Sequence, residues 1–112
     1  MRYEGLIRET ESGFELTVRA SGTDGVPLAI EIALRAGGTM KGVEAIDGTP
    51  DAFLLKHGWA GYRMDNDLIT FGPGRAEHAY VTIRGAEAKP EGPCVYLTGF
   101  TPFEHTLVFE MK

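Results

Sequence analysis

The stretch Phe14-Glu15-Leu16-Thr17-Val18-Arg19-Ala20-Ser21 alternates apolar and polar side chains without a break. Successive side chains of a strand point to opposite faces, so this pattern predicts a β-strand with one face buried. Upstream, Tyr3 to Glu9 predicts a first strand, and Thr10-Glu11-Ser12-Gly13 the turn that returns it into the second as an antiparallel hairpin. Downstream, past the break Gly22-Thr23-Asp24-Gly25-Val26-Pro27, a segment running from Leu28 to Ala36 alternates again. It sets Leu28, Ile30, Ile32 and Leu34 on one face and Glu31 and Arg35 on the other. Gly37-Gly38 then predicts a tight primed turn, which would pair this strand as a hairpin with Thr39 to Ile46.

The rest of the chain continues in the same manner. After the turn cluster Asp47 to Asp51, Ala52 to Lys56 predicts a short strand. Gly61 to Met64 and Leu68 to Phe71 flank Asp65-Asn66-Asp67 and predict a hairpin that ends at Gly72-Pro73-Gly74. Ala79 to Arg84 alternates cleanly, and Gly85 to Pro93 reads as a loop with room for one helical turn at most. Cys94 to Phe100 and Thr106 to Met111 are the final strands, joined through Thr101 to His105. Eight or nine strands at this spacing, with no amphipathic segment of helical length, predict an all-β fold. The expected form is an antiparallel β-sandwich of jelly-roll or Greek-key type, and a closed β-barrel is the alternative. Neither an internal repeat nor a linker divides the 112 residues, so residues 1–112 are expected to form one domain.

Composition narrows the partners. Hydrophobic residues make up 43% and charged residues 24%, the balance of a globular domain able to bury a core without disulfides or a structural metal. The formal net charge is −5, and lysine and arginine are dispersed along the chain. Nucleic-acid binding depends on a basic face that neutralises phosphates, so this distribution argues against it. No apolar run reaches the length of a membrane span, and Met1-Arg2-Tyr3-Glu4-Gly5 has no signal core. The lone Cys94, inside Cys94-Val95-Tyr96-Leu97, is expected to be a buried thiol acting as a small hydrophobe. Absence of disulfides suits the cytoplasm and is compatible with export.

Several residues suggest binding. His57-Gly58-Trp59-Ala60-Gly61-Tyr62-Arg63 sets the only tryptophan beside a tyrosine, between glycines. An exposed aromatic ring there could stack on the apolar face of a sugar, with Arg63 and His57 as flanking donors. The alternative is that Trp59 plugs one end of the core. In Gly72-Pro73-Gly74-Arg75-Ala76-Glu77-His78 the glycines resemble a phosphate loop, but a strand rather than a helix is expected to follow, so the segment reads as a turn. Arg75, Glu77 and His78, with His105, could still line a rim at the sheet edge. The three histidines show no compact metal-ligand spacing, and Asp65-Asn66-Asp67 lacks the glycine and distal glutamate of a calcium loop, so neither a metal nor a cofactor is expected. No serine or cysteine sits in a nucleophile elbow, and no catalytic residue is assigned.

Val95-Tyr96-Leu97-Thr98-Gly99-Phe100-Thr101-Pro102-Phe103-Glu104-His105-Thr106-Leu107, with Phe71 to His78, resembles the C-terminal β-sandwich of large bacterial heparinase II/III-like proteins. The resemblance covers roughly the last two thirds of the chain as a pattern, without a diagnostic motif. It implies an accessory module of a polysaccharide-active protein whose catalytic tyrosine and histidine would lie in other domains, so no catalytic residue carries over.

These readings converge on a non-catalytic β-sandwich that binds a glycan or supports a partner catalytic domain, through Trp59, Tyr62, Arg63 and His57. A second expectation, from a different class, is a small barrel enzyme or ligand-binding protein with a pocket lined by His57, His78, His105 and Glu77. A third is a structural module that forms homo-oligomers through its open edge strands.

Overall fold

The computed structural model describes residues 2–46, 51–78 and 92–112, and these form ten β-strands and no helix. Strands β1 (Arg2–Glu9), β2 (Gly13–Ser21), β10 (Phe103–Met111), β8 (Asp67–Gly72), β7 (Ala60–Met64) and β4 (Thr39–Lys41) lie in that order in a six-stranded antiparallel sheet. Strands β3 (Pro27–Ala33), β9 (Cys94–Phe100), β6 (Ala52–Leu54) and β5 (Glu44–Ala45) form a second sheet of four. Both sheets are open, so the chain is not a closed barrel. Among the described residues no helix is long and apolar enough to cross a membrane.

The sheets share one apolar core. Phe71, Leu107 and Phe109 of the larger sheet meet Val95 and Leu97 of the smaller, with Leu55 and Ala60 closing one end. Phe14 stacks on Phe109 with ring centroids 4.6 Å apart, and Phe71 stacks on the same ring at 5.6 Å. The alternation in β2 has its expected result: Phe14 and Leu16 pack against this core, while Arg19 turns outward to Glu4 and Glu104.

Strand β9 differs. Its first six residues are all buried, because it lies at the centre of its sheet and is covered on both faces. Val95 and Leu97 face the shared core, and Cys94 and Tyr96 form a second cluster with Ala52 and Leu54 on the opposite side. Cys94 is fully buried as expected, with its thiol donating to Glu31 at 3.4 Å.

The first hairpin forms as the sequence predicts, with Glu9 opposite Phe14 and Arg2 opposite Ser21. The β7–β8 hairpin also forms, with Met64 opposite Asp67 and Asp65 in left-handed backbone at φ 53°. Three expectations are corrected. Gly37-Gly38 does not make a hairpin: β3 pairs with β9 in one sheet and β4 with β7 in the other, so the glycines turn a corner between layers. Thr39 to Ile46 is not one strand; β4 and β5 lie in different sheets on either side of Gly42, whose φ of 84° reverses the chain against the Trp59 carbonyl. The smaller sheet is not wholly antiparallel, since β6 runs parallel to β9, reached by a crossover through β7 and β8. The expected strand Ala79 to Arg84 and nearly all of the loop after it lie outside the described residues.

Candidate functional site

Glycines that let backbones approach closely build the Trp59 site. Fully buried Leu55 anchors the segment, and its amide donates to the Tyr96 carbonyl at 3.0 Å. Gly58, at φ 65°, turns the chain outward, and its carbonyl accepts from the Gly74 amide at 2.9 Å. The indole then lies across the bare backbone of Gly72, where an added Cβ would stand 3.0 Å from Trp59 Cδ2. Gly72 and Gly61 both belong to the outward face of the six-stranded sheet, so no side chain rises to cover the ring from them. Trp59 is 46% exposed and does not plug the core.

Strand alternation sorts its neighbours. Arg63 is exposed on the outward face, with Thr39 opposite it on β4, and Lys41 stands opposite Gly61 on the same face. His57 is exposed two residues before Trp59. Tyr62 points the other way and is buried at 4%. Its hydroxyl accepts from the Gly38 amide at 2.9 Å and donates to the Arg35 carbonyl. A ligand on the outward face therefore meets Trp59, Arg63 and Lys41 but not Tyr62, whose ring fastens the layer-changing corner. Lys41 escaped the sequence reading because its place beside Trp59 depends on the β4–β7 pairing. Tyr62 was separable from Trp59 in principle, since residues three apart on a strand lie on opposite faces.

The second group of residues does assemble. Arg75 holds the Glu77 carboxylate through Nε at 2.6 Å, and its guanidinium lies 4.5 Å over the Phe103 ring. Arg75 also donates to the Glu104 carbonyl at 3.1 Å. The amides of Glu77 and His78 donate to the Thr98 hydroxyl at 3.0 and 3.1 Å, and that hydroxyl donates to the His78 carbonyl at 2.5 Å. His78 Nε2 donates to the Gly99 carbonyl at 3.0 Å, and His105 Nε2 to the Pro73 carbonyl at 2.6 Å. The Thr98 amide donates to the Arg75 carbonyl, so residues 75–77 run beside β9 where β6 has ended. This cluster closes over Phe103, held by these hydrogen bonds and by the Arg75–Glu77 pair.

No group of three or more His, Cys, Asp and Glu side chains among the described residues could hold a metal ion. A cavity of about 570 Å³ lies behind the Gly37-Gly38 corner, lined by Met40, Val43, Phe53 and Tyr62 together with Asp51 and Thr39. None of the three histidines borders it. No protein-family model, curated protein or solved structure matches the chain.

Proposed function

We propose that this chain is a non-catalytic β-sandwich of jelly-roll or Greek-key type that binds carbohydrate on the outward face of its larger sheet. The observation that carries the reading is the Trp59 ring, 46% exposed and set against the glycine backbone of Gly72. A rigid, half-exposed indole offers a stacking surface without the entropy loss of ordering a mobile one, and stacked aromatic contacts contribute about 0.5–1.5 kcal/mol beyond the area they bury. Lys41 opposite Gly61, Arg63 four residues along the same face and exposed His57 two residues before the ring add hydrogen-bond donors suited to hydroxyl, carboxylate or sulfate groups. The resemblance to the accessory sandwich of heparinase II/III-like proteins points to the same ligand class. Arg75, Glu77, His78 and His105 serve in this reading as the structural closure beside the platform.

Titration with heparin-derived and neutral oligosaccharides, followed by tryptophan fluorescence, tests the proposal, because Trp59 is the sole tryptophan and reports its own site. A saturable change is expected with at least one of these glycans, and Trp59→Ala should abolish binding measured calorimetrically while leaving the circular dichroism of the fold intact. An unchanged signal with every glycan, or unfolding of the variant, overturns it.

A second reading draws on the cavity, whose size falls in the range of small-ligand sites, about 300–1,000 Å³. Its wall is divided almost evenly between apolar and polar surface, so it suits a small molecule that carries both kinds of group.

A further inference from the structure

Among the described residues, β1 is the one long strand with every residue exposed. All eight of its residues are exposed, with Tyr3 at 67%, Leu6 at 48% and Ile7 at 72%. Among the described residues β1 has no pairing partner on its outer edge.

The hydrogen-bond phase of that edge follows from two bonds. The Thr10 amide donates to the Gly13 carbonyl at 3.0 Å, and the Met111 amide to the Ser12 carbonyl at 2.7 Å. Both fix the same alternation: even-numbered residues of β1 bond to β2, and Tyr3, Gly5, Ile7 and Glu9 turn their amides and carbonyls to the open edge. Arg8 binds Glu15 at 2.9 Å, and Arg19 binds Glu4 at 3.2 Å and Glu104 at 3.4 Å, so charges alternate in sign across the outward face. The neighbouring carboxylates raise the pKa of each guanidinium, chiefly through a side-chain hydrogen bond, to Glu15 for Arg8 and to Glu4 for Arg19.

We propose that β1 pairs antiparallel with β1 of a second copy of this chain, with Leu6 on the two-fold axis, to make one continuous sheet. Charge complementarity selects this occupant and this register. With Leu6 opposite Leu6, Glu4 of each copy faces Arg8 of the other, and the row runs Glu104, Arg19, Glu4, Arg8, Glu15 across the boundary with alternating sign. Centring the pair on Gly5 sets Arg2 against Arg8, and centring it on Glu4 or Arg8 sets like charges together, which opposes pairing. Ile7 of each copy comes to lie over Gly5 of the other, where space is open: a Cβ built on Gly5 meets nothing within 4 Å. Other edges lack this pattern. β4 and β5 have three and two residues, and β3 begins with Pro27 and carries Glu31 as its one outward charge.

Sedimentation equilibrium of the full chain, from micromolar to millimolar concentration, tests the pairing independently of the glycan reading. The native chain is expected to reach twice its 12.2 kDa mass. Glu4→Arg and Arg8→Glu should each remain monomeric alone, because each sets like charges across the axis, and their equimolar mixture should dimerise again because the charges then complement. Folding of each variant is read by circular dichroism, and restoration on mixing itself requires folded chains. A second measurement fixes the register: Leu6→Cys should form a disulfide-linked dimer under mild oxidation, and Glu4→Cys should not, since directly opposite residues of a non-hydrogen-bonded pair lie within disulfide reach. A native chain that stays monomeric throughout, single variants that dimerise alone, a mixture that does not, or cross-linking at Glu4 rather than Leu6 would each overturn the proposal. Monomeric behaviour would leave β1 as an edge for a strand of another protein or of this chain itself.

Discussion

The hydroxyl of Tyr62 accepts the Gly38 amide at 2.9 Å and so ties β7 of one sheet to the corner where the chain leaves the other. Gly38 is needed there because a Cβ would stand 2.5 Å from the Tyr62 ring and 2.7 Å from the Arg63 carbonyl. Tyr62→Phe removes both hydrogen bonds while keeping the ring. The expected loss is roughly 1–2 kcal/mol of stability, with glycan-induced fluorescence unchanged. Urea unfolding and the fluorescence titration, run on the same variant, check both halves.

Thr98 is fully buried, and its hydroxyl serves the amides of Glu77 and His78 and the His78 carbonyl. Thr98→Val keeps the shape and strands those groups, for an expected cost of about 1–3 kcal/mol. Arg75→Met, by contrast, should cost less than about 1 kcal/mol, because the Arg75–Glu77 pair is a third exposed and screened by solvent. The difference between the two denaturation midpoints is the measurement.

Gly72→Ala drives a Cβ to 2.6 Å from the Gly58 carbonyl oxygen and 3.0 Å from Trp59 Cδ2. The indole must shift, so the emission maximum should move and the response to glycan weaken. Gly61→Ala lies on the same face and meets only Leu68 at 3.7 Å, an ordinary contact. It should leave the indole in place, and paired emission spectra of the two variants distinguish these outcomes.

Tyr96 gives the fold an alkaline limit. Burial, with the nearby charge of Glu31, pushes its pKa up from 10.0 to about 12. The native state thus holds the phenolic proton more tightly than the unfolded chain. The stability this adds is whole below pH 10 and is lost as pH climbs towards 12. Urea midpoints measured across that interval should fall with pH, and Tyr96→Phe should flatten the slope relative to the native chain, whatever the lysines contribute to both.

Strand and turn positions were legible where the signal is local. Phe14 to Ser21 shows its faces by alternation alone, and the turns at Thr10 to Gly13 and Asp65-Asn66 close hairpins between neighbouring strands. Gly37-Gly38 shows the limit of that reasoning. Two glycines allow a hairpin and a corner equally well, and what decides is whether Ile30 and Ile32 pack better beside Leu97 and Val95 than beside Met40. At the candidate site, the sequence left Trp59 open between a surface ring and a plug of the core, and neither Lys41 beside it nor the Thr98 closure was readable, because both depend on strands far apart in sequence.

By itself the sequence determined an all-β chain, the position of most strands, and which face of each is apolar, since these follow from a two-residue period and from turn chemistry within a few residues. Tertiary structure decided which strands are neighbours, that β6 runs parallel to β9, that Tyr62 serves the core and Trp59 the surface, and that β1 is left open at an edge. The physical reason is that backbone hydrogen bonding is the same for every strand. Partner choice is therefore settled by how side chains from distant segments fill one shared core, and no local pattern contains that information.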